Sequence, residues 1–586
     1  MLSERRHLLR SSPQPSYQTT TLTKDTKAEP SRYYHLGSDS TMEPDAVPST
    51  KGIIVQILCS LVACAAILSP GMNMGYSAFA LKGMRSSLDL STDQETWIAS
   101  LSNLVTPIGC LLSGPILERY GRKCTLLLVA IPCSIGWFLM AIQPTLGRIY
   151  IGRILTGLAT GLASTPGSVY AAECTLSTLR GYLMSGSTVF ISLGILMVNV
   201  LGLLYKDNWQ IVAGIGGVVS LLVAALTLVF LPESPVWLLS KGYESKAAAA
   251  LKTLRGTSRT ETIQKELATL LSNRRKAETI GGGEGVWRRL CRPEAYKPLI
   301  ILNVFFLFQQ LTGIYVAVSY TLDFVKDSGV TQDIGFIAVM LGALRLLVIF
   351  VGTCCSKTLG RRFTAIVSGV GMTPCLLLLA FDRYSSSHSS VHNNLPLFSS
   401  NSANISSYSL LNTSLSSTLV PLLNSTLTPL VNSTLPVSGT VAGQTSWVPV
   451  AAIVLYIVFS TFGFLIIPWS LLGEIYPAKS REVACGITAC LAYLFNFAIV
   501  KCYPYMSRSI GSYGVFAFFG VMALIGTLFV IIFLPETQGK TLAEIEQYFI
   551  GSHPAHSRPE EEVSLNGGSK HNGHPKTPIV KPANPS

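Results

Sequence analysis

Charged side chains are scarce in this sequence. Only 13% of its 586 residues are Asp, Glu, Lys or Arg, whereas 49% are hydrophobic, and the mean hydropathy is +0.44. A soluble chain of this length would form several domains, each with a charged surface. The scarcity of charge therefore excludes an array of soluble domains. The net charge of +13 does not indicate nucleic-acid binding, because no polar domain is available to present a continuous basic face.

Cysteine and metal chemistry are missing as well. The 13 cysteines fall mostly inside apolar stretches, and their spacing matches neither a disulfide framework nor a set of metal ligands. Free thiols that pack as small hydrophobic groups are the simpler interpretation. The sequence also lacks an evident nucleophile–base pair or phosphate-binding loop, so we expect neither an enzyme nor a bound cofactor.

What the sequence contains is a succession of apolar stretches, each about 20 residues long, which is the length that crosses a bilayer. Twelve spans are predicted: 53–80, 96–117, 124–143, 149–172, 182–204, 210–231, 298–320, 334–355, 363–381, 447–472, 483–503 and 513–534. They predict an all-α, multi-pass protein whose partner is the lipid bilayer. The polar segments 1–51 and 551–586 are expected to be disordered tails.

The distribution of basic residues predicts which side each loop faces. Basic clusters lie at 119–123, at 357–362 and along the central segment 232–297, and the positive-inside rule places all three in the cytoplasm with both tails. Segment 382–446 has no Lys and is predicted to lie on the extracellular or luminal side. It carries four N-glycosylation sequons, at Asn404, Asn412, Asn424 and Asn432.

Charged residues at the ends of the spans occur twice, in the same order. Glu474 lies 301 residues after Glu173, whereas Arg361 lies only 239 residues after Arg122. The shortfall of 62 is close to the length of the sequon-bearing segment 382–446. The chain is therefore interpreted as a duplicated six-span unit, with that segment inserted into the second copy.

The duplication predicts two six-helix repeats, 52–231 and 298–550, joined by a cytoplasmic linker of helices at 232–297. Topology does not require acidic residues at the cytoplasmic span ends, whereas ion pairs between helices do. We therefore predict a cytoplasmic gate that closes through pairs formed across the two repeats. The alternative is that the charges only anchor the span ends. The predicted gate residues are Arg122, Glu173, Arg180, Glu233, Arg361, Arg362, Glu474, Arg481 and Glu536.

These span ends carry a family resemblance that covers roughly residues 53 to 548. The motifs are Arg119-Tyr-Gly-Arg-Lys, Gly152-Arg-Ile-Leu-Thr-Gly, Tyr170-Ala-Ala-Glu, Pro232-Glu-Ser-Pro, Gln309-Gln-Leu-Thr-Gly, Leu359-Gly-Arg-Arg, Pro468-Trp and Pro535-Glu-Thr-Gln-Gly. Together they resemble the sugar porter branch of the major facilitator superfamily, which includes the facilitative glucose transporters. The resemblance implies the major facilitator fold and a sugar substrate moved by alternating access.

Finer features resemble particular branches of that family. A long glycosylated loop between the ninth and tenth spans is similar to that of class III facilitative glucose transporters, such as types six and eight. The segment that begins at Pro535 also resembles insect trehalose carriers. The N-terminal residues Glu4, Leu8 and Leu9 fit an acidic dileucine sorting signal, which implies a clathrin adaptor as partner. The alternative is a chance pair in a disordered tail. The expected location is the cell membrane, the endosomal–lysosomal membrane or both.

The resemblance also implies which side chains contact the sugar. A sugar site needs amides, which both donate and accept hydrogen bonds, and an aromatic plane for stacking. Gln309 and Gln310 in the seventh span, Asn496 in the eleventh and Trp469 in the tenth match such residues of the family. The alternative for a polar or aromatic residue inside a span is a contact between helices or an interface anchor.

Four positions depart from the glucose carriers and predict a reshaped site. Thr188, Tyr315 and Ala492 stand where the family has amides. Arg345 lies in the middle of the eighth span, where a charge is costly and by default functional. Thr188, Tyr315 and Arg345 are therefore added to the predicted substrate contacts.

A residue of the first span predicts whether sugar transport is coupled to protons. Proton-driven sugar porters carry an aspartate there, near an arginine of the fourth span, and the matching residues here are Asn73 and Arg153. An amide cannot titrate, so proton symport by that route is not expected. The sequence thus predicts a facilitative hexose uniporter. Trehalose or another solute as cargo, and a sugar sensor that binds without transporting, remain alternatives.

Overall fold

The computed structural model describes residues 50–142, 145–206, 208–256, 259–280, 288, 290–330, 333–393, 447–477, 480–540 and 542–550. Within these ranges the secondary structure is helical throughout, without a strand. Predictions that concern the two tails, the sequons Asn404, Asn412, Asn424 and Asn432, and the sorting signal Glu4, Leu8 and Leu9 lie outside the described residues.

The first repeat contains six spans. They are Thr50–Ala65 continued by Leu68–Leu88, Thr92–Tyr120, Arg122–Ala141, Leu146–Ala163 continued by Pro166–Cys174, Ser177–Leu183 continued by Gly186–Leu204, and Trp209–Phe230. Three helices follow in the predicted linker: Pro235–Ser240, Glu244–Arg255 and Thr260–Ile280. The fourth span contains two arginines in an otherwise apolar helix. One of them, Arg153, contacts Asn73 of the first span.

The second repeat has the same order, with more interruptions. Its seventh span is Pro293–Leu311 with two short helices, Val316–Ser319 and Thr321–Asp327; the eighth and ninth are Ile334–Leu359 and Arg361–Asn393. The tenth consists of Val448–Ser460, the π-helix Thr461–Leu465 and Ile466–Leu471, and the eleventh and twelfth share Arg481–Phe533, before a final helix, Leu542–Ile550.

The helices agree with the twelve predicted spans. Among the described residues, nine helical stretches are long and apolar enough to cross a membrane. One of them, Val483–Phe533, has 51 residues and would measure about 77 Å at 1.5 Å per residue, more than twice the hydrocarbon core. Gly511 breaks it, with φ +69° and ψ 168°, so it crosses twice. The arginine-bearing fourth span and the broken seventh span complete the twelve.

Small residues let the second and fourth spans touch backbone to backbone. A Cβ atom added at Gly109 would lie 2.3 Å from the carbonyl oxygen of Leu158, and one added at Gly161 would lie 2.2 Å from that of Thr106. Such contacts are the usual means by which helices pack in lipid, where burial of apolar surface gives no advantage. These glycines fix the position of the fourth span beside the centre of the bundle.

This packing yields a stability prediction. Gly109→Ala forces two backbones apart, which we expect to cost about 1–3 kcal/mol of unfolding free energy and to lower the melting temperature. Gly114, on the same helix, has no atom within 4 Å of an added Cβ, so Gly114→Ala is the matched control. Thermal melting of the detergent-solubilised protein measures both variants. Equal melting temperatures for the two would contradict the packing.

Candidate functional site

A small polar cavity lies between the two repeats. The first, second, seventh and eleventh spans surround it, and its volume is about 10 Å³, room for roughly one water molecule. Its polar lining consists of Asn73, Ser102, Asn103, Tyr315, Ser319 and Asn496. A ligand larger than a water molecule can enter this space only if the surrounding spans move apart.

Two buried polar atoms of the cavity lining have no hydrogen-bond partner among the described residues. They are Oδ1 of Asn496 and Oγ of Ser102; Oε1 of Gln310 in the seventh span and Nε of Arg345 in the eighth also lack a partner but do not belong to the lining. Inside a membrane protein an unsatisfied polar atom costs free energy, because lipid cannot replace water as a partner. The two unpartnered oxygens of the lining are therefore acceptors that a ligand in the cavity can satisfy.

The seventh span is broken beside the cavity. Gly313 has φ +78°, and an added Cβ there would lie 2.6 Å from the ring of Phe519, so both its conformation and its surroundings favour glycine. The carbonyl oxygen of Thr312 accepts a hydrogen bond from the hydroxyl of Tyr456 at 2.9 Å. The break brings Tyr315 to the wall of the cavity.

The adjacent amides Gln309 and Gln310 have different environments. Gln309 Nε2 donates to the carbonyl oxygens of Phe464 and Leu465, at 2.6 and 3.1 Å, in the π-helix of the tenth span. Its Oε1 accepts from Gln310 Nε2 at 3.3 Å. The Gln309 side chain is therefore committed to the protein, whereas Oε1 of Gln310 lacks a partner in the described structure.

Trp469 connects the tenth span to the cavity wall. Its Nε1 donates to the hydroxyl of Tyr315 at 3.3 Å. Its ring packs edge-on against Phe306, with centroids 5.0 Å apart. Trp469 is half-buried, so part of its surface stays free of protein contacts. Tyr315 and Trp469 thus form one connected aromatic wall.

The predicted substrate residues are not all at the cavity. Tyr315 and Asn496 line it, and Trp469 and Arg345 are neighbours of Tyr315. Thr188 is half-buried in the fifth span and is not among the described lining residues. No observation tests sugar contact for any of them, so these assignments stay predictions.

Sequence reasoning missed the contribution of the second span. Ser102 and Asn103 line the cavity, as does Ser319 from the seventh span. The signal was available, since two adjacent polar residues interrupt an apolar stretch, but they match no motif. Their role depends on which face of the helix turns toward the other repeat, and the apolar pattern alone does not give that.

The structure brings Asn73 and Arg153 together. Arg153 Nη1 donates to Oδ1 of Asn73 at 2.7 Å and to its backbone oxygen at 3.1 Å. Its Nη2 donates to the hydroxyl of Ser77, and the guanidinium lies 5.1 Å from the centre of the Tyr76 ring. This buried cation is therefore held entirely by neutral groups.

The charged residues at the span ends form two equivalent clusters. In the first repeat, Arg122 makes a bidentate pair with Glu173, with Nη2 2.6 Å and Nε 2.8 Å from the carboxylate oxygens. Glu233 accepts from the backbone N–H of Arg122 at 2.8 Å, so it caps the third span. We call the end of the bundle that carries Arg122 the basic end; it is the predicted cytoplasmic end.

The second repeat has the same cluster. Arg361 Nη2 lies 2.7 Å and Nε 3.2 Å from the carboxylate oxygens of Glu474. Glu536 accepts from the backbone N–H of Arg361 at 2.8 Å. The neighbouring Arg362 donates through Nη2 to the backbone oxygen of Ile531. The arginines of the two clusters are 239 residues apart, and the glutamates that pair with them are 301 residues apart. These intervals agree with the duplication inferred from the sequence.

The expected pairing across the two repeats is not what the structure shows. Each Arg–Glu pair lies within one repeat, because the arginine begins one span and the glutamate ends the next. Arg481 donates to the backbone oxygen of Tyr476 at 3.4 Å, and Arg180 is exposed. In this conformation the gate residues hold each repeat together rather than joining the two.

Ion pairs between the repeats lie instead at the end of the bundle away from Arg122, called here the opposite end. Lys501 Nζ is 2.8 Å from Oδ1 of Asp93, which also accepts from the hydroxyl of Tyr505 at 2.9 Å. A second, longer contact of 3.9 Å joins Arg85 to Asp323. In the described part of the chain these are the ion pairs that connect first-repeat to second-repeat spans.

Twelve spans in two repeats around a central polar cavity define a transporter of the major facilitator class. The family model for sugar (and other) transporters matches residues 58–399 and 427–549, and the chain belongs to this family. It is a multi-pass membrane transporter, not an enzyme. The resemblance to sugar porters and the predicted twelve-helix fold are thereby confirmed.

Several relatives and solved structures are similar to this chain. It is 30% identical over 511 residues to the facilitated trehalose transporter of Polypedilum vanderplanki, covering 86% of this chain and 90% of that protein. Identity to the facilitated trehalose transporter of Apis mellifera ligustica is 29% over 502 residues, covering 85% and 88%. The proton:xylose symporter XylE bound to 6-bromo-6-deoxy-D-glucose matches with a TM-score of 0.60 at 20% identity, covering 85% of this chain and 100% of that one. This structural likeness shows the fold.

The two glutamines are predicted to differ on substitution. Gln309→Ala removes a side-chain donor from two buried carbonyl oxygens, which we expect to lower the unfolding free energy by about 1–3 kcal/mol. Gln310→Ala, one residue away, removes a single long hydrogen bond and is expected to change the melting temperature less. Thermal melting and equilibrium binding of glucose and trehalose separate the effects. A Gln309→Ala protein that melts like the wild type would contradict the structural assignment.

Proposed function

We propose that the protein is a facilitative transporter that carries a hexose across the membrane by alternating access, as a uniporter. The observation that carries the proposal is the central cavity with its unpartnered amide and hydroxyl oxygens. Oδ1 of Asn496 and Oγ of Ser102 are acceptors that sugar hydroxyls can satisfy. Trp469, which donates a hydrogen bond to Tyr315 of the cavity lining, offers an aromatic surface for the C–H faces of the sugar.

Alternating access is supported by the distribution of ion pairs. The Asp93–Lys501 pair ties the repeats together at the opposite end, whereas the Arg122–Glu173 and Arg361–Glu474 pairs leave them untied at the basic end. The cavity therefore opens most easily toward the basic end in this conformation. Movement of the repeats about the cavity then exposes the site to each side in turn.

Uniport is supported by the environment of Arg153. Its main partner is the amide of Asn73, which neither gains nor loses a proton over the physiological range. A carboxylate at that position would be able to accept a proton and couple it to sugar movement. Without one, a neutral sugar moves down its own concentration gradient.

Trehalose is a second candidate cargo. Two relatives with matched lengths of 511 and 502 residues are facilitated trehalose transporters, so a disaccharide is favoured by similarity, whereas hexose is favoured by the sugar-porter motifs. A larger cargo requires wider separation of the repeats but the same amide and aromatic groups.

A sensor that binds sugar without transporting it has the same site and differs only in the absence of flux.

The membrane orientation and location belong to the proposal too. The basic end is placed in the cytoplasm, so Asn404, Asn412, Asn424 and Asn432 face outside or the lumen, where glycosylation occurs. Glu4, Leu8 and Leu9 then lie in the cytoplasm, accessible to a clathrin adaptor. Such a signal would distribute the protein between the cell membrane and the endosomal–lysosomal membrane.

The proposed function predicts saturable sugar uptake. Oocytes that express the Leu8→Ala, Leu9→Ala protein, to keep it at the surface, should accumulate labelled 2-deoxyglucose above water-injected controls. Because no titratable group replaces Asn73, uptake should be unchanged between about pH 5.5 and 7.5. Labelled trehalose tests the second candidate in the same cells. Uptake that rises with an inward proton gradient would contradict uniport, and surface protein without any flux would favour the sensor.

The ion pair between Asp93 and Lys501 is predicted to limit access to the central cavity from outside. Asp93→Asn weakens the tie between the repeats, so Ser319→Cys, in the cavity, should react about two- to fivefold faster with an impermeant thiol reagent applied from outside. Asp382→Asn is the matched control, because Asp382 pairs with Arg383 within one helix. The same variants without Ser319→Cys give the background from native cysteines. Equal labelling rates for Asp93→Asn and Asp382→Asn would contradict the role of the pair.

A further inference from the structure

Arg345 is a buried cation without a counter-charge. It lies in the middle of the eighth span and is only 6% exposed. Its Nε has no hydrogen-bond partner among the described residues, and none of their ion pairs involves it. Breaking a buried ion pair typically costs several kcal/mol, and a buried guanidinium that never had a partner carries the same penalty.

In the part of the chain that the structure describes, the interior of the bundle offers no carboxylate to compensate this charge. In the described spans the acidic residues lie at the ends, such as Asp93 and Asp323 at the opposite end and Glu173 and Glu474 at the basic end. Arg153, the other buried cation, is held by neutral groups. The centre of the bundle is therefore positively charged on balance.

The neighbours of Arg345 are two tyrosines with different hydrogen-bonding capacity. Tyr315 and Tyr456 are both within electrostatic range of the guanidinium. The hydroxyl of Tyr456 already donates to the backbone oxygen of Thr312. The hydroxyl of Tyr315 accepts from Trp469 and keeps its own proton available, and Tyr315 lines the central cavity. Tyr315 thus presents a donor at the cavity wall, and the positive charge of Arg345 lies behind it, within electrostatic range of Tyr315.

We propose that the preferred cargo of the central site carries a carboxylate: a sugar acid such as a hexuronate, whose carboxylate is held by Arg345 and Tyr315. This rests on the proposed function, because it gives the substrate class of the same site. A neutral sugar supplies hydroxyl acceptors but leaves the buried charge uncompensated. A carboxylate accepts two parallel hydrogen bonds from a guanidinium and neutralises it, and such pairs are roughly twice as strong as neutral ones.

Proteoliposomes with the full-length protein test this proposal. Wild-type protein should take up labelled glucuronate with a KM at least about tenfold below that for labelled glucose, corresponding to 1.4 kcal/mol. Because a uniporter that carries an anion moves net charge, glucuronate uptake should respond to an imposed membrane potential, and glucose uptake should not. Arg345→Gln should raise the ratio of the glucuronate KM to the glucose KM about tenfold. Arg345→Lys, which keeps the charge, should restore part of that ratio.

Gln310→Ala is the control, since it is expected to weaken both substrates alike and leave the ratio unchanged. Glucose uptake without uptake of, or competition by, glucuronate would overturn the carboxylate inference while the proposed function stands. An unchanged KM ratio in Arg345→Gln, with a lower melting temperature, would show a structural role and overturn it as well. Absence of flux for either sugar, from protein with normal melting behaviour, would overturn the proposed function and this inference together.

Discussion

The structure depends on one constraint: inside lipid, a polar group must find its partner in the protein or in the cargo. Most do so within the protein. Gln309 supplies the donors for the carbonyl oxygens at the π-helix of the tenth span, and the amide of Asn73 holds the buried Arg153. At the basic end, Glu233 and Glu536 cap the helices that begin with Arg122 and Arg361. Among the groups that remain unsatisfied in the described residues, Oδ1 of Asn496 and Oγ of Ser102 line the central cavity, and this is why the cavity is the candidate site.

The ion pairs are distributed differently at the two ends of the helix bundle. Equivalent charged clusters stabilise each repeat separately at the basic end, while the ion pairs between the repeats lie at the opposite end. Two repeats that are joined by ion pairs at one end and not at the other can move relative to each other without unfolding. The collapsed cavity between them, about 10 Å³, is consistent with a site that forms fully only when the repeats separate. Fold, cavity and charge distribution thus support the same mechanism.

Much of this was predictable from the sequence, because span length, charge clusters and the repeat interval all depend on local composition. The contact between Asn73 and Arg153 was anticipated as well. The partners of the charged clusters were not: the sequence suggested pairs across the repeats, yet each arginine meets the glutamate of the adjacent span. The different roles of Gln309 and Gln310 were equally hidden, since they depend on a π-helix 155 residues away. Ser102 and Asn103 were missed because helix rotation, not composition, brings them to the cavity.

The central claim is that the protein is a carrier whose single site faces the two sides in turn. Counterflow tests this directly: proteoliposomes loaded with a high concentration of unlabelled sugar are diluted into a trace of the same sugar, labelled. A carrier that exchanges one cargo for another accumulates the label transiently above its equilibrium level, and the account predicts such an overshoot. Sugar binding to the same preparation without any overshoot or net flux would contradict it.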